Sequence, residues 1–239
     1  MRAASIRGVL HRNPRHPGPR QDAYALAARP SDQTLVGVVC DGIGSMSHSH
    51  TAANLVATKA LEFYLEGQSW HTAIHEANSL LNETITQGPA ATTVVALAAQ
   101  PRPDGIWVDA ASVGDSELLQ LRDSGWARIL PLPSNTPVDP DEVATGRTKA
   151  LPSPRLQVQT WSGLVEDAPL FLMTDGVALP LDMSAMVKRT LADWWATAPS
   201  GVDFARQVGF AKATFIDDRT VVGFWPTHPI AAPVNSPEP

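Results

Sequence analysis

VGVVCDGIG, residues 36–44, runs from an apolar stretch directly into an acid, Asp41. Four or five consecutive apolar residues predict a buried strand, and a carboxylate at the end of that strand lies where the chain leaves the core. Three other segments also place an aspartate at the end of an apolar run: ASVGDSE (111–117) with Asp115, LFLMTDGV (170–177) with Asp175, and FIDDRTVV (215–222) with Asp217.

These four aspartates together predict a metal centre. A single aspartate at a strand end is ordinary turn chemistry, because Asp starts turns and Gly completes them. Four carboxylates that converge on one patch repel one another unless cations lie among them. Oxygen ligands of this kind suit Mg²⁺ or Mn²⁺.

The composition is that of a globular protein. With 44% apolar and 18% charged residues, disorder of the whole chain is excluded, and 239 residues allow one large domain or two small ones. A formal net charge of −6 argues against a nucleic-acid partner, because such a partner requires a basic face. The single cysteine, Cys40, excludes an internal disulfide framework.

The sequence contains no apolar stretch typical of a targeting or membrane segment. The first 18 residues are basic but lack the apolar core of a signal peptide. No segment approaches the roughly 20 apolar residues of a membrane span. We therefore expect a cytoplasmic protein with no membrane partner, and we expect it to be a monomer.

Hydrophobic periodicity predicts strands and helices that do not alternate regularly. Strands are expected at 23–28, 34–40, 92–99, 105–113, 117–122, 126–130, 156–161, 170–173 and 220–225, and helices at 50–66, 71–86, 181–196 and 202–212. This order excludes a doubly wound parallel sheet. It favours an α+β fold in which antiparallel sheets are flanked by helices.

One domain is expected to occupy residues 13–226. Residues 1–12 are predicted to form a flexible arm, and the Pro-rich residues 227–239 a disordered tail. Residues 131–154 are rich in Pro, Asp, Thr and Gly and have little periodicity, which predicts a mobile surface flap.

Six short motifs, in order and at suitable intervals, resemble those of the type 2C metal-dependent protein phosphatases. They are RQDAY, VVCDGIG, ATTVVALA, VGDSELL, LMTDGV and DDRTVV, and they extend from about Arg20 to Phe224. Each motif alone is weak, because a dipeptide such as Asp-Gly occurs in many turns. The resemblance implies a four-layer αββα sandwich of two antiparallel sheets, with a pair of helices on each outer face.

The resemblance also implies a site for two Mn²⁺ or Mg²⁺ ions, with a third, weaker ion beside them. Asp41 would bridge the two ions, and the carbonyl of Gly42 would complete the shell of one of them. Asp175 and Asp217 would hold the other ion, and Asp115 matches the position tied to the third ion. A water that bridges two such ions has a lowered pKa and can attack phosphorus, so no protein nucleophile is required.

The phosphate-binding residues depart from the family pattern. Asp22, and with less support Gln21, would orient metal-bound waters. The usual phosphate-binding arginine is replaced by Pro17, which leaves Arg15 and Arg20 as the candidates for that contact. We therefore name Asp41, Asp22 and Arg20 as the candidate catalytic residues.

Further residues near the motifs have plainer interpretations. Glu117 replaces the Arg of the family's GDSR motif, which changes the local charge without altering a metal ligand. Asp218 is predicted to be a turn or cap acceptor beside Asp217. Thr92 and Thr93 begin an apolar strand and are predicted to pack beneath the site.

Three functions remain open on this evidence. The first is a protein phosphatase that removes phosphate from Ser or Thr in a phosphoprotein, which would be the substrate of a Ser/Thr kinase. The second is a phosphatase of the same fold that acts on a regulator such as an anti-sigma antagonist. The third is a metal-binding pseudophosphatase that recognises a partner without turnover.

Overall fold

The computed structural model describes residues 1–8, 18–133, 149–210 and 216–226. Within them, ten strands form two antiparallel sheets of five strands each. The strands are β1 Arg2–Ile6, β2 Ala23–Arg29, β3 Thr34–Cys40, β4 Val94–Arg102, β5 Gly105–Val113, β6 Glu117–Arg122, β7 Gly125–Leu130, β8 Gln159–Val165, β9 Leu170–Met173 and β10 Arg219–Phe224.

The first sheet has the order β1-β10-β9-β6-β7, and the second has the order β2-β3-β4-β5-β8. The two sheets face each other across an apolar core that includes Val39, Leu97, Leu118, Leu172 and Val222. Alternate residues along a strand point to opposite faces, so each sheet also has an outer apolar face that must be covered.

Five helices within the described residues cover these outer faces. They are α1 Ser49–Leu65, α2 Trp70–Thr84, α3 Asp175–Met183, α4 Ala185–Trp195 and α5 Gly201–Val208. The first two pack on the second sheet, where Val56, Trp70 and Ile74 are fully or almost fully buried. The other three pack on the first sheet around Trp195 and Phe204. The αββα sandwich predicted from the sequence is confirmed.

Local signals explain where several helices begin. The Ser69 hydroxyl accepts a hydrogen bond from the N–H of Thr72 at 3.2 Å and caps α2. Ser184 and Ser200 cap α4 and α5 in the same way, through the N–H groups of Val187 and Asp203. Each cap satisfies a backbone donor that the first helical turn leaves without an internal partner.

Two predictions were wrong in part. The flexible arm expected at residues 1–12 contains β1, which pairs with β10 from Arg2↔Gly223 to Ile6↔Arg219. The helix expected at 181–196 is two helices, because α3 begins at Asp175 and Ser184 separates it from α4. Pro180 lies inside α3, where the sequence signal for a helix is weak.

Other predictions fall mainly outside the described residues. The tail at 227–239 lies outside them, and so do residues 134–148 of the predicted flap. The end of that flap is anchored, because Leu151 is fully buried and exchanges two backbone hydrogen bonds of 2.8 Å with Thr92. None of the helices in the described ranges is long and apolar enough to cross a membrane.

Candidate metal centre

The strand ends bring the predicted aspartates to one end of the sandwich. Asp41 follows the last residue of β3, and Asp22 precedes the first residue of β2. Because Ala23 pairs with Cys40, these two acids leave neighbouring strands side by side. In the other sheet, Met173 pairs with Val221, so Asp175 and Asp217 emerge at adjoining strand ends.

The carboxyl groups form one connected cluster. The carboxyl of Asp41 makes hydrogen-bonding contacts with those of Asp22 and Asp175. The charges of Asp115 and Asp217 act in turn on Asp175. Asp22 is buried, Asp41 and Asp175 are partly exposed, and Asp115 and Asp217 are exposed at the rim. Five acids from distant segments therefore share one electrostatic environment.

Burial and mutual repulsion shift the acidities of the inner members. Burial, followed by the charge of Asp218, raises the pKa of Asp22 to about 7. The pKa of Asp41 lies well above its usual range because the group is buried and faces the charges of Asp22 and Asp175. Burial also raises the pKa of Asp175. Buried carboxyl groups that lie this close together either keep a proton or attract a cation.

The backbone of Asp41 is fixed by the start of β4. The Asp41 carbonyl accepts hydrogen bonds from the Thr92 hydroxyl and from the Thr93 N–H, both at 2.8 Å. Gly42 forms an isolated bridge with Thr92. A Cβ at Gly42 would lie 2.8 Å from the carbonyl oxygen of Gln21, so only glycine fits there. The two threonines thus support the site from below, as predicted.

A buried network of hydroxyl groups supports Asp22, and sequence reasoning missed it. The Thr174 hydroxyl donates to Asp22 Oδ2 at 3.0 Å and accepts from the N–H of Thr220 at 3.1 Å. Thr220 Oγ1 lies 2.5 Å from Ser5 Oγ, so the network reaches β1. Its only sequence signal was a hydroxyl residue directly before Asp175 and after Asp218-Arg219.

Asp218 joins the two N-terminal segments to β10. One carboxylate oxygen accepts from the N–H of Gly8 and the other from the N–H of Gln21, both at 2.6 Å. Asp218 is 2% exposed, so these are buried charge-assisted hydrogen bonds. The interaction agrees with the predicted role of Asp218 as an acceptor.

The donor set fits hard divalent cations. All five acids offer oxygen ligands, which Mg²⁺ and Mn²⁺ prefer. The buried Oε1 of Gln21 has no hydrogen-bond partner, and it lies close to the loop after Asp41. As the side chains stand, no group of three His, Cys, Asp or Glu in the described ranges surrounds an ion position. Asp41 lies between the carboxyl groups of Asp22 and Asp175, and carboxyl groups this close must share protons when no cation is bound.

The candidate phosphate-binding residue Arg20 and the substituted position Glu117 both have structural partners. The Arg20 guanidinium donates to the carbonyls of Asp22 at 3.1 Å and Ser5 at 3.3 Å. Arg15 lies outside the described residues. Glu117 forms an ion pair with Arg128 at 2.7 Å, and Arg128 also contacts Asp182 in α3 at 2.5 Å.

Comparison with known protein families identifies the family of this chain. The family model described as protein phosphatase 2C matches residues 11–207. The chain belongs to the protein phosphatase 2C family. The matched range contains Asp22, Asp41, Asp115 and Asp175, whereas Asp217 lies just beyond it. A comparison with curated proteins finds no match.

Solved protein phosphatase 2C structures share the fold. The Mycobacterium tuberculosis serine/threonine phosphatase PstP/Ppp aligns with a TM-score of 0.65 at 19% identity, covering 93% of this chain and 97% of that chain. The PstP catalytic domain in complex with two manganese ions aligns with a TM-score of 0.62 at 20% identity, covering 92% of this chain and 95% of that chain. The Staphylococcus aureus serine/threonine phosphatase Stp1 aligns with a TM-score of 0.63 at 17% identity, covering 92% of each chain.

Proposed function

We propose that this chain is a metal-dependent phosphatase that hydrolyses phosphoserine and phosphothreonine in proteins. The observation that carries the proposal is the convergence of five acids, from five separate segments, on one end of the sandwich. The resemblance to the protein phosphatase 2C family implies that Asp41, Asp115, Asp175 and Asp217 are metal ligands and that Asp22 orients metal-bound waters. The phosphoprotein would be the product of a Ser/Thr kinase.

Asp41, Asp175 and Asp217 would hold two Mn²⁺ or Mg²⁺ ions, together with the carbonyl of Gly42. Asp115 would contribute to a third, weaker site at the rim, where it is exposed. Bound divalent ions would supply a water of lowered pKa and would offset the negative charge of the phosphoryl group.

The protein's own residues then have separate tasks. Thr92 and Thr93 fix the main chain at Asp41, so that its side chain and the Gly42 carbonyl keep one orientation. Thr174 orients the carboxyl of Asp22, which can hold a proton or a water beside the ions. Arg20 holds the backbone of Asp22, and its contact with phosphate stays a prediction.

An activity assay with two substrates tests the proposal. The purified chain is incubated with p-nitrophenyl phosphate and with a phosphothreonine peptide, each with Mn²⁺ or with EDTA. We expect Mn²⁺-dependent hydrolysis of the peptide, abolished by EDTA. Failure to hydrolyse either substrate while Mn²⁺ still binds would contradict the proposal and favour a metal-binding module. The cytoplasmic location and the monomeric state stay predictions from the sequence.

A further inference from the structure

Two exposed apolar side chains on α3 lie in line with the candidate metal ligand Asp175, the first residue of that helix. Leu179 and Met183 follow Asp175 at intervals of four residues, so the three side chains share one face of α3. Leu179 is 48% exposed and Met183 is 70% exposed. We call these two side chains the α3 stripe. One exposed apolar residue is ordinary, but two in line with Asp175 give the acidic end an apolar border.

The packing of α3 does not require the α3 stripe. The opposite face of the helix presents Val177, Ala178 and Leu181 to the apolar core around the first sheet, and each is at most 2% exposed. These three side chains already hold the helix against the sheet. The apolar surface of Leu179 and Met183 therefore remains available to another molecule.

Polar contacts at both ends of α3 fix the position of the α3 stripe. Asp182, directly before Met183, forms an ion pair with Arg128 of β7, and Glu117 of β6 holds the same guanidinium. At the start of the helix, the Thr174 carbonyl accepts hydrogen bonds from two N–H groups of the first turn, both at 3.0 Å. A surface fixed in this way loses little conformational freedom when it binds a ligand.

The spacing along α3 matches that of an extended polypeptide. A helix rises about 1.5 Å per residue, which places Leu179 about 6 Å and Met183 about 12 Å from Asp175 along the helix axis. An extended chain advances about 3.3 Å per residue. A bound polypeptide with its phosphorylated residue at the acidic end would therefore pass Leu179 after about two residues and Met183 after about four.

We propose that the α3 stripe binds apolar side chains of the phosphoprotein, about two to four residues from the phosphorylated Ser or Thr. Because this docking surface rests on the proposed phosphatase function, it defines the class of phosphoprotein that the site prefers. An aliphatic side chain covers Leu179 and Met183, which removes apolar surface from water. The flexible thioether of Met183 adapts to side chains of different shapes. A substrate with small or polar residues at these positions binds less tightly.

Three phosphothreonine peptides of equal length test the preference. One has alanine around the phosphothreonine, one has leucine at the second and fourth positions before it, and one has leucine at the second and fourth positions after it. We expect one of the leucine peptides to have a KM at least about fivefold lower than the alanine peptide, because it buries apolar surface. The kcat values should be equal, because the bound substrate and the transition state make the same apolar contact.

Glutamine substitutions test the location. Leu179→Gln and Met183→Gln keep a good helix-forming residue but remove apolar surface from the α3 stripe. In each single variant the KM advantage of the leucine peptide should shrink at least about twofold, and in the double variant it should disappear. Circular dichroism verifies that the variants fold.

Val202→Gln on α5 is the matched control. Val202 is 81% exposed, so this variant also replaces an exposed apolar residue on a helix. The Pro199 carbonyl, just before α5, accepts a hydrogen bond of 3.2 Å from Arg2, and Arg2 pairs with Gly223 near the end of β10. The acidic end adjoins the start of β10, so Val202 lies away from it. This variant should keep the full preference for the leucine peptide.

Turnover of p-nitrophenyl phosphate separates this proposal from the proposed function, because that small substrate has no residue that could reach the α3 stripe. A wild type that hydrolyses p-nitrophenyl phosphate, but has equal KM values for the leucine and alanine peptides, overturns the docking surface and leaves the proposed function intact. Full preference in the double variant, or equal loss of preference in Val202→Gln, also overturns the docking surface. A wild type that hydrolyses no substrate overturns both proposals.

Discussion

At one end of the sandwich, β3, β9 and β10 adjoin Asp41, Asp175 and Asp217. At the other end the same three strands border a cleft of about 450 Å³ between the two sheets, which Leu35, Leu170 and Phe224 line and which we call the inter-sheet cleft. The first end crowds carboxyl groups whose repulsion must be offset. The second leaves apolar surface incompletely filled. Buried apolar side chains fill the core between them, so a single scaffold supports two ends with opposite chemistry. Such local departures from good packing and good charge balance are typical of functional regions.

The largest expected effect lies at the acidic end. Asp41→Asn removes the central carboxylate of the cluster and should lower turnover of a phosphothreonine peptide at least about a thousandfold, equivalent to about 4 kcal/mol of transition-state stabilisation. Steady-state kinetics with Mn²⁺ measures it. The matched control is Asp109→Asn, on the outer face of β5, which should retain near wild-type turnover. Comparable turnover by the wild type and the Asp41→Asn variant would contradict a catalytic role for the acidic end.

The hydroxyl network beneath Asp22 should matter next. Thr174→Val keeps the side-chain shape but removes the donor to Asp22 and the acceptor for the Thr220 N–H. We expect the free energy of unfolding to fall by about 1–3 kcal/mol. Turnover should fall about 10- to 100-fold, as for other groups that orient metal ligands. Urea unfolding and kinetics measure the two effects, and Thr174→Ser should restore most of both. Full activity and stability in Thr174→Val would show that the network is incidental.

Enlarging a side chain should lower stability in the core between the sheets and raise it in the inter-sheet cleft. A Cβ at Gly37 would lie 2.8 Å from the Phe224 ring, so Gly37→Ala should destabilise the protein by about 1–3 kcal/mol. Ala99→Leu instead extends into the cleft and should raise the unfolding free energy by about 0.5–1 kcal/mol. Chemical unfolding of both variants tests the contrast. A strong loss of stability in Ala99→Leu would mean that the cleft offers no usable space.

The smallest effect concerns an acid outside both ends. Burial raises the pKa of Asp109, and the Tyr64 hydroxyl donates to its carboxyl at 3.1 Å. A raised pKa in the folded state means that stability is complete below the ordinary Asp value and is lost as the pH rises through the raised value. Asp109→Asn should therefore be slightly more stable than wild type at pH 7, by well under about 1 kcal/mol because the carboxyl group is only partly buried. The difference should vanish below about pH 4. Thermal unfolding of both proteins across this pH range measures the difference in stability. A difference that grew as the pH fell would contradict the raised pKa of Asp109.

The sequence predicted the sandwich because its strands carry strong local signals. The bounds expected for β5, β6 and β9 match the structure to the residue, because a turn-forming residue flanks each of them: Gly114 after β5, Asp123 after β6 and Pro169 before β9. The aspartates were identifiable because each follows or precedes such a run. Their convergence, by contrast, depends on the pairing of strands distant in sequence, and the family resemblance supplied it.

Features without a periodic signal escaped prediction. β1 lies among basic and Pro-containing residues, and its pairing with β10, over 200 positions away, leaves no local pattern. Thr174 and Thr220 look like ordinary strand-end residues until Asp22 is placed between them. The inter-sheet cleft could not be predicted either, because it is a space between the two sheets that no side chain fills. Sequence patterns report which side chains are buried, but not how completely they fill the interior.

Divalent-ion uptake tests the central claim most directly. Isothermal titration calorimetry of Mn²⁺ into the metal-free chain should show saturable binding of about two ions, as expected for a two-metal hydrolytic centre. The same titration with Asp41→Asn should lose most of that binding, and Asp109→Asn should keep it. Absence of saturable uptake by the wild type, or equal uptake by the Asp41→Asn variant, would contradict the conclusion that folding assembles these acids into a metal centre.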